Sequence, residues 1–288
     1  MIKLVVSDMD GTLLGKSKGG VSIPNRNAIQ RLSEHNIEFA IASGRDYNGV
    51  YQIIHELGIE CEAILGNGAQ YVDVKGNILM ECYMQKTIYK DVVKIFDDAS
   101  IPYMVFTTKG FYATEPQRVR DLFVQRCVNF FHQPYGEYDK GGKFENSTCN
   151  FLQAIGNVDD FLKQDFEIIK VEAFSLDASE IAPAKEKLQF VPMISYLSSF
   201  SDNVEVTDQN AQKGLILEKV AKLKNLSKDE IVVIGDGMND LTMFQHFPYA
   251  FAPANADLEI QNLAYQIVAD CEDDGFAEVI DIIFKDLM

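Results

Sequence analysis

No window of the sequence approaches the run of about eighteen uncharged apolar residues that a membrane helix requires, and its first residues lack the basic start and apolar core of a secretion signal. A soluble, cytoplasmic protein without a membrane partner is expected. Basic side chains are scarce: 26 against 43 acidic ones give a formal charge of −17, which repels a nucleic-acid backbone, and no basic stripe offsets it. Nucleic acid is excluded as an expected partner. Cysteine is also thin, since Cys61, Cys82, Cys127, Cys149 and Cys271 are scattered, odd in number and without a CxxC pair, so neither a disulfide framework nor a zinc site is indicated. They read as reduced thiols packed as small apolar residues. Four histidines, His35, His55, His132 and His246, fall in predicted helices or loops and read as surface or packing residues. Other signatures fail too: no GxSxG occurs, "HELGI" lacks a second histidine, and "DKGGKF" has Glu137 where a P-loop needs glycine and Phe144 where it needs Ser or Thr.

What is present is a core. A hydrophobic fraction of 47% over 288 residues suffices for one large domain or two smaller ones. "IKLVVSD" is a β-branched run that stops at an acid and reads as a central strand ending at Ser7 and Asp8. A helix over "SIPNRNAIQRLSEHN", a strand over "IEFAIASGRD" and a helix closed by Gly58 follow, and "EAILGNGAQYV" with "GNILMECYM" reads as a third strand plus a hairpin. This alternation predicts an α/β fold, a doubly wound parallel, Rossmann-like sheet covered on both faces. From residue 85 to 201 the rhythm changes to a mixed strand and helix order, which predicts an inserted α/β cap domain between core segments 1–84 and 202–288. The second segment opens on "VEVTD".

In open α/β sheets, ligands bind beyond the carboxyl ends of the strands. Asp8 and Asp10 lie at one such end, Ser43, Gly44 and Arg45 at a second, Asp236, Asn239 and Asp240 at a third, and Lys213 opens a helix. Two acids one residue apart repel each other, so a buried pair calls for a cation. Asp8, Asp10 and Asp236 form a hard oxygen set without Cys or His, which suits Mg²⁺. A metal beside a lysine, a Ser-Gly turn and loop amides makes a site for a phosphate dianion. One carboxylate is then suited to attack phosphorus and the other to handle the leaving group's proton; spacing does not decide which. Gly11 allows a sharp turn, Thr12 offers a hydroxyl, and Met9 offers its amide. Arg45 is a candidate substrate contact, the alternative being an ion pair that anchors its loop.

"DMDGTL", "SGR", the Lys213-Gly214 pair and "GDGMND" together resemble the four motifs of the haloacid dehalogenase-like phosphatase superfamily. The large insertion after the second motif, with "APANA" and "EDDGFAEVI" near the C-terminus, resembles its Cof-like branch, whose inserted domain is a type IIB cap. The resemblance implies Asp8 as the nucleophile forming an aspartyl-phosphate and Asp10 as general acid, then base. It implies Mg²⁺ held by the Asp8 carboxylate, the Asp10 carbonyl and Asp236, with Asp240 and Thr12 in support. Ser43, the Gly44 and Met9 amides, Lys213 and Asn239 would hold the phosphoryl oxygens.

The expected activity is hydrolysis of small phosphate monoesters, sugar phosphates or phosphorylated cofactors, by a monomer or weak dimer. Its rivals are a phosphomutase, a receiver-like phospho-accepting switch and a non-catalytic ligand-binding regulator. The second positioned acid and the insertion argue against the switch. Substrate choice is assigned to the cap, with the loop "HQPYGEYDKGGKFENST" and its Tyr135, Tyr138, Lys140 and Lys143 as one candidate contact region.

Overall fold

A computed structural model describes residues 1–15, 20–131, 134–142, 144–198 and 201–288. Gly19, His132, Gln133, Lys143, Ser199 and Phe200 lie outside the described residues. The chain divides into two units, Met1–Glu81 with Asn210–Met288, and Cys82–Gln209.

The first unit begins with β1 (Leu4–Ser7), α1 (Ile23–Glu34), β2 (Glu38–Ala42), α2 (Tyr47–Leu57), β3 (Glu62–Leu65), β4 (Gln70–Val72) and β5 (Ile78–Glu81). Ser22 caps α1 by accepting the Asn25 N–H, Pro24 sits in its first turn, and Asp46 caps α2 through the Gly49 N–H. Gly58 closes α2 in the left-handed conformation, at φ 66°.

The second unit comprises α3 (Lys86–Asp98), β6 (Tyr103–Thr107), β7 (Gly110–Ala113), α4 (Pro116–Phe131), β8 (Leu152–Ala154), α5 (Val158–Leu162), β9 (Ile168–Phe174), α6 (Ala178–Leu188), β10 (Ile194–Leu197) and β11 (Asn203–Asp208). The chain returns to the first unit with α7 (Lys213–Leu223), β12 (Ile231–Ile234), α8 (Leu241–His246), β13 (Tyr249–Pro253), α9 (Leu258–Leu263), β14 (Gln266–Val268) and α10 (Gly275–Ile282).

Eight strands of the first unit lie in the order β14-β13-β12-β1-β2-β3-β4-β5. Pairing is parallel from β14 through β3 and antiparallel at β3-β4 and β4-β5. The chain moves from β1 toward β2 and β3, then later from β12 toward β13 and β14, so the order reverses at β1. That reversal opens a crevice at the carboxyl ends of β1 and its neighbours. All four residues of β1 are buried, and successive side chains point to opposite faces, so both faces are covered. Val5 joins Ala28, Ile29 and Leu32 of α1 and Phe276, Val279 and Ile280 of α10 in one apolar cluster.

The second unit has a six-stranded sheet, β10-β11-β9-β6-β7-β8, antiparallel except at β7-β8. Tyr89, Val92 and Phe96 of α3 and Ile181 and Leu188 of α6 pack with Val105, Val171 and Val206 on one sheet face. The alternate residues are unusual: Lys170, Glu172 and Glu205 are all buried, with Lys170 Nζ 2.5 Å from Glu205 and 3.2 Å from Glu172. Arg126 and Asp202 form a second buried ion pair.

One boundary expectation is corrected. Residues 202–208 were expected to reopen the core, but β11 pairs antiparallel with β9 and β10, and the inserted unit runs from 82 to 209. The physical reason is register: Glu205 lies opposite Glu172 and joins the charge network of that sheet. Among the described residues no helix is long and apolar enough to cross a membrane.

Candidate active site

β1 delivers Asp8 to the crevice with its N–H bonded to the Ile234 carbonyl of β12, at 2.9 Å. Met9, wholly buried, turns its side chain into an apolar cluster with Ile41, Val50 and Leu65. Gly11 follows at φ +87°, and a β-carbon there would stand 2.3 Å from Asp236 Oδ2. Both the turn and the close approach require glycine. Thr12 is buried and donates its hydroxyl to Asp236 Oδ1 at 2.8 Å, tying the β1 loop to the β12 loop.

Lys213, the first residue of α7, is completely buried, and its ammonium lies 2.6 Å from both Asp8 Oδ1 and Asp240 Oδ1. The other Asp240 oxygen accepts the N–H groups of Asp236 and Gly237 at 3.0 and 3.1 Å. Asp240 is thereby a fixed strut with both oxygens engaged. Burial alone would lower the Lys213 pKa, but Asp240 and Asp8 reverse the sign and raise it. Burial pushes the Asp8 carboxyl up to about 7; Lys213 opposes that shift, and Asp240 and Asp10 add to it. Asp236 is also held well above the ordinary carboxyl range, by burial and by the charges of Asp8 and Asp240.

Oxygens of Asp8, Asp236 and Asp240 come within 4.8 Å of one another, a grouping fit to hold a metal ion. Three carboxylates against one ammonium leave negative charge uncompensated, and every donor is a hard oxygen. That donor set fits a divalent cation of the Mg²⁺ or Ca²⁺ class. The third carboxylate of the cluster is Asp240, whereas the bare spacing had suggested Asp10. The Asp10 side chain is instead half exposed and bonded to Arg45, whose Nε and Nη2 lie 2.8 and 2.6 Å from its two oxygens. Of the two readings open for Arg45, this geometry shows the ion pair, with Asp10 as its partner.

β2 ends in Ser43, buried, whose N–H bonds Ile64 O and whose hydroxyl accepts the Arg45 N–H. Gly44 and Asn239 are both drawn to Asn67, which lies in the turn after β3: Asn239 Nδ2 donates to Asn67 Oδ1 at 3.3 Å, and a β-carbon on Gly44 would stand 2.8 Å from the same oxygen. Ser43, Gly44, Asn239 and the three aspartates thus sit beyond the strand ends of one sheet edge, where Lys213 at the start of α7 meets Asp8 and Asp240.

Asn67 and Asn255 were missed in the sequence. Asn255, within "APANA", donates to Gly11 O and accepts the Cys271 N–H, bracing the β1 loop. The signal for Asn67 was an asparagine between two glycines at a strand end. In the second unit, Tyr138 is buried and stacked on Phe144, so it is a packing residue of its loop. Tyr135 donates to Asp121. All five cysteines are free thiols, and His246 pairs with Glu218 away from the strand ends.

Residues 5–280 match the family of haloacid dehalogenase-like hydrolases. The phosphatase YwpJ of Bacillus subtilis is 26% identical over 285 residues, covering 97% of this chain and 99% of that protein. The 5-amino-6-(5-phospho-D-ribitylamino)uracil phosphatase YwtE of the same organism is 25% identical over 287 residues, with 97% of each chain covered. A solved haloacid dehalogenase-like hydrolase from B. subtilis superposes with a TM-score of 0.83 at 22% identity, over the whole of both chains.

Proposed function

The chain belongs to the haloacid dehalogenase-like hydrolases, and from that premise we propose that it is a Mg²⁺-dependent phosphatase acting on small phosphate monoesters through an aspartyl-phosphate on Asp8. The observation that carries this reading is the buried constellation of Asp8, Asp236, Asp240 and Lys213 at the sheet's reversal point, with more carboxylates than cations. Relatives named as phosphatases, one for a phosphorylated ribitylamino-uracil, support a sugar-phosphate or phosphorylated cofactor substrate.

Asp8 attacks phosphorus through a carboxylate oxygen, forming the acyl-phosphate bond as the ester P–O bond breaks. Asp10 protonates the departing oxygen. Water then attacks phosphorus, Asp10 takes its proton, and the acyl-phosphate P–O bond breaks to return free Asp8 and inorganic phosphate. Ser43, the Gly44 and Met9 amides, Asn239 and Lys213 would neutralise and orient the phosphoryl oxygens, which accounts for most of the catalysis in phosphoryl transfer. Asp8, Asp236 and the Asp10 carbonyl would hold Mg²⁺, which when bound supplies the positive charge that lets an anionic carboxylate approach a phosphate dianion. Asp240 and Thr12 fix the orientation of that set.

Phosphate release from p-nitrophenyl phosphate, with and without Mg²⁺, tests the reading. Wild-type release should require the metal, and Asp8→Asn should abolish it. Equal rates in Asp8→Asn would remove Asp8 as nucleophile.

A further inference from the structure

The turn Gly66-Asn67-Gly68 after β3 touches three of the loops that carry the site. Gly66 N–H bonds Arg45 O at 3.0 Å and Asn67 N–H bonds Ser43 O at 3.1 Å, so the turn grips the Ser43-Gly44-Arg45 loop along its backbone. Gly68, at φ +107°, lies so close to the residue before Lys213 that a β-carbon would stand 2.6 Å from Gln212 N. Asn67 itself is 1% exposed and holds a left-handed backbone, φ 59° and ψ 25°. That conformation is uncommon outside glycine, and asparagine is among the few side chains that tolerate it. Glycine would fill it with less strain, so a buried amide at this position points to a use for the side chain. That side chain lies against Gly44 and accepts from Asn239, two residues from different loops that the proposed mechanism places on the phosphoryl oxygens.

We propose that Asn67 is a positioning residue of the oxyanion site: its Oδ1 locks the Gly44 turn and the Asn239 amide in one geometry, and its turn seats the start of α7. The inference rests on the phosphatase reading only in taking Gly44 and Asn239 as phosphoryl ligands. Asn67 acts through them and need not touch the substrate. The effect of a locked, unstrained donor set is to reduce the reorganisation required when an anion arrives. Asn67 should therefore be coupled energetically to Asn239, which a purely structural turn residue would not be.

The test is a binding cycle that does not depend on turnover. The dissociation constant of inorganic phosphate, with Mg²⁺ present, is measured by calorimetry for the wild type, Asn67→Gly, Asn239→Ala and the double variant. Asn67→Gly keeps the backbone conformation and removes the amide, so it should melt close to wild type yet bind phosphate at least tenfold more weakly. In that background Asn239→Ala should cost little more. Asn67→Asp, which retains the shape and the acceptor but places a negative charge beside Gly44, should weaken phosphate further and serves as a second variant if Asn67→Gly folds poorly. Unchanged phosphate binding in Asn67→Gly or Asn67→Asp, or strict additivity with Asn239→Ala, would overturn the positioning role. Failure of the wild type to bind phosphate at all would instead sink the phosphatase reading beneath it.

Discussion

Arg45 grips Asp10 with both arms of its guanidinium, Nε at 2.8 Å and Nη2 at 2.6 Å from the two carboxylate oxygens. Its remaining nitrogen reaches the Gly49 carbonyl at 3.3 Å, and its N–H bonds the Ser43 hydroxyl. The proposed proton carrier is thus fixed to the phosphate loop by a planar fork. Such a bidentate pair sets direction as well as distance.

Arg45→Lys should therefore be a poor substitute, because an ammonium keeps the charge but loses the fork. We expect kcat on p-nitrophenyl phosphate to fall about 10- to 100-fold, within the range a positioned acid or base contributes. KM should change less than about threefold and melting by no more than about 2 °C, since an ion pair this exposed adds little stability. A rise in KM with kcat intact would restore Arg45 as a substrate contact.

Removal of the Lys213 ammonium would strand Asp8 and Asp240 in a buried pocket. Lys213→Met should lose about 3–5 kcal/mol of unfolding free energy at pH 8, the usual cost of breaking a buried pair from one side. The loss should shrink at pH 5, because Asp8, already pushed up to about 7 with the lysine in place, takes up a proton more readily without it. Urea unfolding at the two pH values decides the matter. An equal loss at both would show that packing of the lysine stem dominates.

The raised Asp8 pKa also fixes the sign of the metal's pH dependence. Between its ordinary value of 3.8 and about 7, folded Asp8 binds a proton that the unfolded chain does not, so its contribution to metal-free stability weakens as pH rises through that window. Mg²⁺ requires the ionised carboxylate and must displace that proton. The midpoint of Mg²⁺-induced thermal stabilisation should therefore be about tenfold higher at pH 6 than at pH 8. Asp236, shifted in the same direction, would steepen the dependence. A midpoint constant between pH 6 and 8 would contradict the assignment of these two acids as ligands.

The parts of this molecule that were legible in the sequence are those that local chemistry writes. Leu4–Ser7 is an apolar, β-branched run followed directly by Asp8, Ser22 and Pro24 announce a helix, and Gly58 ends one. Because the strands run parallel, the same edge collects Asp8, Ser43 and Asp236, so their company was readable from strand ends alone. Pairings across long separations were not. Asp10 and Arg45 are 35 positions apart, and no local pattern shows that they meet rather than share the metal site with Asp8. Asn67 was hidden because "EAILGNGAQYV" reads through as one strand-forming stretch, which gives the two glycines beside it no turn of their own. Residues 203–208 were recognisable as a strand, but which sheet receives them depends on register with β9 and β10.

The buried triad of the inserted sheet was the least legible feature, and it yields the last prediction. Lys170 lies between Glu205 and Glu172 and over the Phe106 ring, 4.5 Å from its centroid, with the lysine and both acids almost fully removed from solvent. Desolvation of three charges is costly, and their mutual attraction recovers that cost only while the set is complete. Lys170→Met should lose about 3–5 kcal/mol, because it removes the cation that lies directly between two buried acids. Adding Glu205→Gln and Glu172→Gln removes the stranded charges, and the triple variant should recover most of the loss. Urea denaturation of the single and triple variants measures this. If the triple variant proves no more stable than Lys170→Met, the stability at this position comes from the packing of Lys170 on Phe106 and not from the charge network.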